Sequence, residues 1–208
     1  MFKVDPSRII KVRTDAELAK DIENEAEFPL KADSAKLAKH WDSMVNHLKR
    51  GQSSKAILRN AYAFIDEAVK GMAAYSVCQR GCAHCCYLDV DITELEADYI
   101  ARQTGHKIVL GNLDRKKMAN ETYCPFLDHQ TASCSIYEYR PAVCRWFFAY
   151  DDPQRCNEPN KKHAISTVNG LPSNEHLRKI PRYLSEATAS PHRDIRQFFS
   201  TVNINKNK

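Results

Sequence analysis

The chain has 208 residues, of which 27% are charged, 43% hydrophobic and eight cysteine, with a formal net charge of +5. That is enough for one or two domains with a buried core, and no stretch approaches the roughly 18 consecutive apolar residues of a membrane span, so a soluble protein is expected. The basic excess argues only weakly for a nucleic-acid partner, because the lysines and arginines are scattered and lack aromatic interleaving.

In chain order, Thr14 and Glu17 have capping-box spacing and predict a helix over 15–26, before Pro29. Ser34 precedes Leu37, Trp41, Met44, Val45 and Leu48 on one helical face, and Gly51 follows as a stop. Ser53 or Ser54 can cap a second helix that carries Ile57, Leu58, Ala61, Phe64, Ile65 and Ala68 and ends near Gly71. Together these predict an αα-hairpin over about 34–71 whose apolar stripes pack as core. Thr93 and Glu96 repeat the capping-box spacing, and Ile92, Leu95, Tyr99 and Ile100 give a helix face that ends before Gly105.

Residues 123–127 and 133–137 are β-prone runs around Asp128-His129-Gln130-Thr131-Ala132, which suits a small hairpin. Pro141 can open a helix over 141–147. In the tail, Leu177, Ile180, Tyr183 and Leu184 form one helical patch and Ile195, Phe198 and Phe199 another, with Pro172, Pro181 and Pro191 at starts or kinks; 203–208 read as a frayed end. The expected fold is mainly α with a small β-hairpin, its cysteine-rich centre stapled by metal and flanked by helices. Its expected regions are a helical part over 1–76, a cysteine-cluster domain over 77–157 and a helical tail over 158–208 packed on the same core.

All eight cysteines lie between Cys78 and Cys156, four of them in Cys78-Gln-Arg-Gly-Cys82-Ala-His-Cys85-Cys86. Disulfide-dense chains are usually small and secreted, whereas this one opens with Met1-Phe2-Lys3-Val4-Asp5 and shows no apolar signal stretch. A cytoplasmic address is therefore expected, where closely spaced thiols bind metal or catalyse rather than pair. Cys78, Cys82 and Cys85 can reach one ion from a turning backbone, as zinc knuckles do. Adjacent side chains point apart on a helix or strand, so the vicinal pair Cys85 and Cys86 is expected to serve two sites, or one site and a free thiol.

Cys124, Cys134, Cys144 and Cys156 are too far apart for a local knuckle and must be gathered by the fold, with Cys124 and Cys134 meeting at the hairpin base. Cys144 falls in the first turns of the helix from Pro141, where the dipole favours the thiolate. Arg140 and Arg145 either add to that effect or are salt-bridged or solvated. Eight thiolates suit two tetrahedral sites, or one cluster plus a mononuclear site, and softness restricts the metal to Zn(II), Fe or Cu(I). Two Zn(II) ions on eight thiolates would add four positive and eight negative charges, bringing the net charge to about +1.

Cys78-x3-Cys82-x2-Cys85-Cys86, Cys124-Pro125-Phe126-Leu127 and Cys134-Ser135-Ile136-Tyr137-Glu138-Tyr139-Arg140-Pro141-Ala142-Val143-Cys144-Arg145 together resemble the YkgJ-type cysteine-cluster family of zinc- or iron-chelating domains. The resemblance runs from about Cys78 to Cys156 and implies metal binding by Zn(II) or Fe, an Fe-S cluster included. Flagellin lysine N-methylases are similar over this type of domain. They supply the alternative expectation of an Fe-S enzyme or electron-transfer protein, although no glycine-rich methyl-donor loop accompanies the cysteines here.

The Cys-x3-Cys-x2-Cys spacing is also that of radical S-adenosylmethionine enzymes. Two predicted helices rather than a strand precede it here, against the barrel those enzymes require. His84 could replace a thiolate but reads better as solvated or as a neighbour supporting the ligands; His129 and His163 are weaker candidates. No paired carboxylates, Ser-His-Asp spacing or phosphate loop is visible, so whether the chain is an enzyme stays open. A protein partner held by the helical flanks is compatible with the sequence.

Overall fold

The computed structural model describes residues 32–70, 76–78, 81–109, 122–150 and 174–199, together with Ala16, Cys156 and residues 165–166. The helix expected over 15–26 (Ala16 apart, which is helical), His163, Pro172 and the end over 203–208 lie outside the described residues. In chain order the helices are α1 (Ser34–Lys49), α2 (Ser54–Ala68), α3 (Glu94–Thr104), α4 (Ala142–Trp146), α5 (Asn174–Glu186) and α6 (Ile195–Phe198). The strands are β1 (Asp91–Ile92), β2 (Leu127–Asp128), β3 (Ser133–Cys134), β4 (Phe148–Ala149), β5 (Ile165–Ser166) and β6 (Arg193–Asp194), paired antiparallel as β1 with β6, β2 with β3 and β4 with β5. The protein is mainly α with short strands, one pair of which is the expected hairpin.

Asp33 caps α1: its carboxylate accepts the backbone N–H groups of Ala35 and Lys36. An ionised acceptor also complements the positive end of the helix, which a hydroxyl does not. Gly51, at φ +58°, reverses the chain into α2, and the two helices pack as the predicted αα-hairpin. The apolar stripe of α1, centred on fully buried Met44, meets Ile57, Leu58, Ala61, Phe64, Ile65 and Ala68 of α2. Leu177, Ile180 and Leu184 of α5 close this core, joined by Leu95 and Trp146.

A second core surrounds the cysteines. Val90, Ile92, Ala97, Ile100, Phe126, Ile136, Ile195, Phe198 and Phe199 pack with buried Cys124, and Cys86, Cys134 and Cys144 lie against them. Helix α3 starts at the expected capping box, with Thr93 Oγ accepting from Glu96 N–H and the Glu96 carboxylate accepting from Thr93 N–H, and it ends at left-handed Gly105. The hairpin is shorter than its β-prone runs: only Leu127 with Cys134 and Asp128 with Ser133 are paired. Residues 125–126 form a turn instead, and Pro125 has no N–H to donate to a ladder. Among the described residues no helix is long and apolar enough to cross a membrane.

Candidate metal centre

Short backbone bonds draw the cysteine-bearing segments together. Val77 N–H and Ser76 Oγ donate to the Ala149 carbonyl at 2.8 and 3.0 Å, and Ala149 N–H donates to Cys78 Sγ at 3.2 Å, so residues 76–78 lie along β4. Cys85 and Cys86 sit in a 3-10 turn, His84–Tyr87. The Cys86 carbonyl accepts Cys124 N–H at 2.7 Å, which joins that turn to the start of the β2–β3 hairpin. Ser135 N–H and Oγ both donate to the Phe126 carbonyl, holding Cys124 and Cys134 to one hairpin. Pro141 caps α4, which carries Cys144.

No disulfide joins the eight cysteines; Cys78 and Cys85 are exposed, Cys124 is buried, and the other five, Cys156 included, are half-buried. Electrostatically Cys78, Cys82 and Cys85 form one group and Cys124, Cys134 and Cys144 another, with Cys85 also acting on Cys134 and Cys144. Cys85 therefore links the two. A hydrogen bond with Cys86 is the largest cause raising its pKa well above the ordinary thiol value, with burial second, although the side chain is exposed to solvent. Adjacent side chains point apart on a helix or strand, whereas in the 3-10 turn the Cys85 and Cys86 thiols act on one another.

Burial is the main cause raising the other shifted thiols. It pushes Cys82 up to about 11 and raises Cys78, Cys134, Cys124 and Cys144 as well. For Cys144 this overturns the expected dipole effect: α4 has one and a half turns and a weak dipole, and the thiol is desolvated. Opposing the burial, backbone amides donate to sulfur: Ala149 to Cys78, His84 to Cys82, Phe126 to Cys124 and Ile136 to Cys134. Three of these amides lie two residues after their cysteine. An N–H aimed at sulfur favours the thiolate and hence soft-metal ligation. Among the described residues no three Cys, His, Asp or Glu side chains stand together as a ready-made site for one ion.

Residues 77–167 match the model of the CxxCxxCC family, described as a "putative zinc- or iron-chelating domain". This stretch is similar to that family. No curated protein and no solved structure matches the chain. The donors in this stretch suit either metal: they are soft thiols, several receive amide hydrogen bonds, and guanidinium cations lie nearby.

The two arginines flagged in the sequence part company in the structure. Arg140 stacks on Tyr137 at 3.7 Å, donates from Nε to the Tyr137 carbonyl, and lowers the pKa of Cys78, Cys85, Cys134 and Cys144. Arg145 instead bonds both Asp66 oxygens of α2 at 2.8 and 2.9 Å, covers the Tyr62 ring, and donates to the carbonyls of Glu138 and Arg140. His84 is only 6% exposed, its Nε2 has no hydrogen-bond partner, and burial lowers its pKa, so the neutral ring is favoured. Its burial argues against the solvated role and leaves that of a neighbour supporting the ligands.

Sequence reasoning missed two further residues. Beyond its capping role, buried Glu96 accepts Tyr62 Oη at 3.3 Å and Ala142 N–H at 2.8 Å, fixing the start of α4. Arg196, buried beneath the 3-10 turn, donates to the carbonyls of Cys86 and Leu88. The Asp194/Gln197 capping box was legible as a pattern, but nothing in the sequence marks Arg196 as buried.

Proposed function

We propose that the chain binds zinc or iron through Cys78, Cys82, Cys85, Cys86, Cys124, Cys134, Cys144 and Cys156, as a structural or stored metal in a reducing, cytoplasmic compartment, with Zn(II) ahead of iron. The observation that carries this reading is the gathering of thiols from segments far apart in sequence into one electrostatic neighbourhood, with backbone amides donating to four of the sulfurs. On this reading ligation requires the side chains to rotate inward, and the regions before 77 and after 157 serve as a platform. Anaerobic purification followed by absorption spectroscopy and metal analysis tests it. A colourless protein with about two zinc ions per eight thiols is expected; a chain that takes up neither zinc nor iron sinks the proposal.

The link through Cys85 favours a second reading, a polynuclear centre such as an Fe-S cluster, because one sulfur then faces donors of both groups. A brown protein with several irons per chain would select it and open redox chemistry. Under either reading Cys85→Ser should lower the metal content more than any other single cysteine substitution does, as measured by metal analysis on matched samples.

A further inference from the structure

We propose that Arg196, supplied by the tail outside the matched stretch 77–167, is a positioning residue of the thiol centre, holding the Cys86 and Cys124 backbones in register for ligation. The inference rests on the reading of the cysteines as ligands. The Arg196 and Asp194 side chains are each 1% exposed and are paired through Nη1 at 2.9 and 3.1 Å. The other fork nitrogen, Nη2, donates to the carbonyls of Cys86 at 3.2 Å and Leu88 at 2.9 Å. Since the Cys86 carbonyl also accepts Cys124 N–H at 2.7 Å, one oxygen connects the tail, the 3-10 turn and the entry to the hairpin.

Asp194 is itself fixed, accepting Val90 N–H at 2.9 Å while its own N–H donates to Gln197 Oε1 at 3.1 Å. Both ends of 86–90 are thus tied to 194–196, through the fork at one end and, at the other, through Val90, whose N–H donates to Asp194 and whose carbonyl accepts Ile195 N–H at 2.8 Å. A purely structural filler would not need this charge: buried ion pairs contribute little net stability against apolar side chains of similar volume. Arg196 Nε, moreover, is buried without a partner, a further cost. What the guanidinium adds is a planar fork that spans two carbonyls and a carboxylate at once, which lysine cannot reproduce. It also places a cation within electrostatic reach of Cys124, where ligation puts negative charge.

The test compares the full-length protein with Arg196→Lys and Asp194→Asn, using zinc competition against a chromophoric chelator and, on the metal-free forms, alkylation rates of each cysteine read by mass spectrometry. Arg196→Lys is expected to weaken zinc binding about ten- to a hundred-fold. It should also speed alkylation of Cys86 and Cys124 selectively, leaving Cys78 and Cys82 unchanged. Asp194→Asn, which retains both carbonyl bonds, should show a smaller change in each readout. Wild-type affinity and labelling in Arg196→Lys would overturn the inference while leaving the metal reading intact. Failure of the wild-type protein to bind zinc or iron would instead overturn the metal reading, and the inference with it. If Arg196→Lys labels all eight cysteines alike, it has unfolded and Asp194→Asn decides: selective Cys86 and Cys124 exposure supports the inference, and uniform exposure assigns Arg196 to general stability and overturns it.

Discussion

At the residue scale the thiols make a prediction with two opposite signs. In the metal-free fold, burial raises their pKa above the unfolded value near 8.5, so the folded chain holds these protons more tightly than the unfolded one. The resulting stability is full below about pH 8.5 and is lost as the pH rises through the folded value, about 11 for Cys82. The metal-loaded protein should respond the other way, releasing metal as the pH falls because protons compete for sulfur. Denaturation midpoints of the metal-free form between pH 7 and 11, with metal retention followed down to pH 5, check both limbs; a metal-free form that gains stability above pH 9 would contradict the first. Glu96 gives a second prediction at this scale. Glu96→Ala would leave the donors of Tyr62, Thr93 and Ala142 without an acceptor, so a loss of about 4 kcal/mol in urea unfolding is expected.

At the element scale α5 joins the tail to the N-terminal hairpin. Leu177, Ile180 and Leu184 are fully buried against Ile57, Phe64 and Ile65. Ile180→Ala is expected to destabilise the protein by about 3 kcal/mol through lost burial and the cavity left behind, measured by thermal or urea unfolding. Arg145 links α4 to α2 through Asp66 and the Tyr62 ring, but Asp66 is solvent-exposed, so Asp66→Asn should cost only about 0.5–1 kcal/mol. The hairpin, with two paired positions, has too little ladder to stand alone and depends on Phe126 and Ile136 in the second core.

At the scale of the whole molecule, the proposed centre and the helical platform differ in what holds them. The α1–α2–α5 core is apolar and should survive metal removal, whereas the thiol-bearing segments have short strands, a one-and-a-half-turn helix and few ladder bonds. Chelation is therefore expected to speed amide hydrogen exchange across 76–150 more than across α1 and α2. Equal protection of the two regions with and without metal would show that the metal does not order the centre.

The residues themselves determined the mainly helical class, the αα-hairpin, the capping box at Thr93 and Glu96, the hairpin around 128–132 and the cysteine pattern that resembles a zinc- or iron-chelating domain. Each is a local signal: helical periodicity, a cap three residues from its partner, turn residues between β-prone runs, and dense thiols. Tertiary structure alone decided that β1 meets β6 and β4 meets β5, since two-residue strands carry no periodicity to read. It decided likewise that Arg140 influences the thiols while Arg145 turns to Asp66, that burial outweighs the dipole at Cys144, and that Arg196 lies beneath Cys86. The physical reason is common to all of these: burial and charge proximity depend on which distant segments are brought together, and spacing along the chain does not encode that.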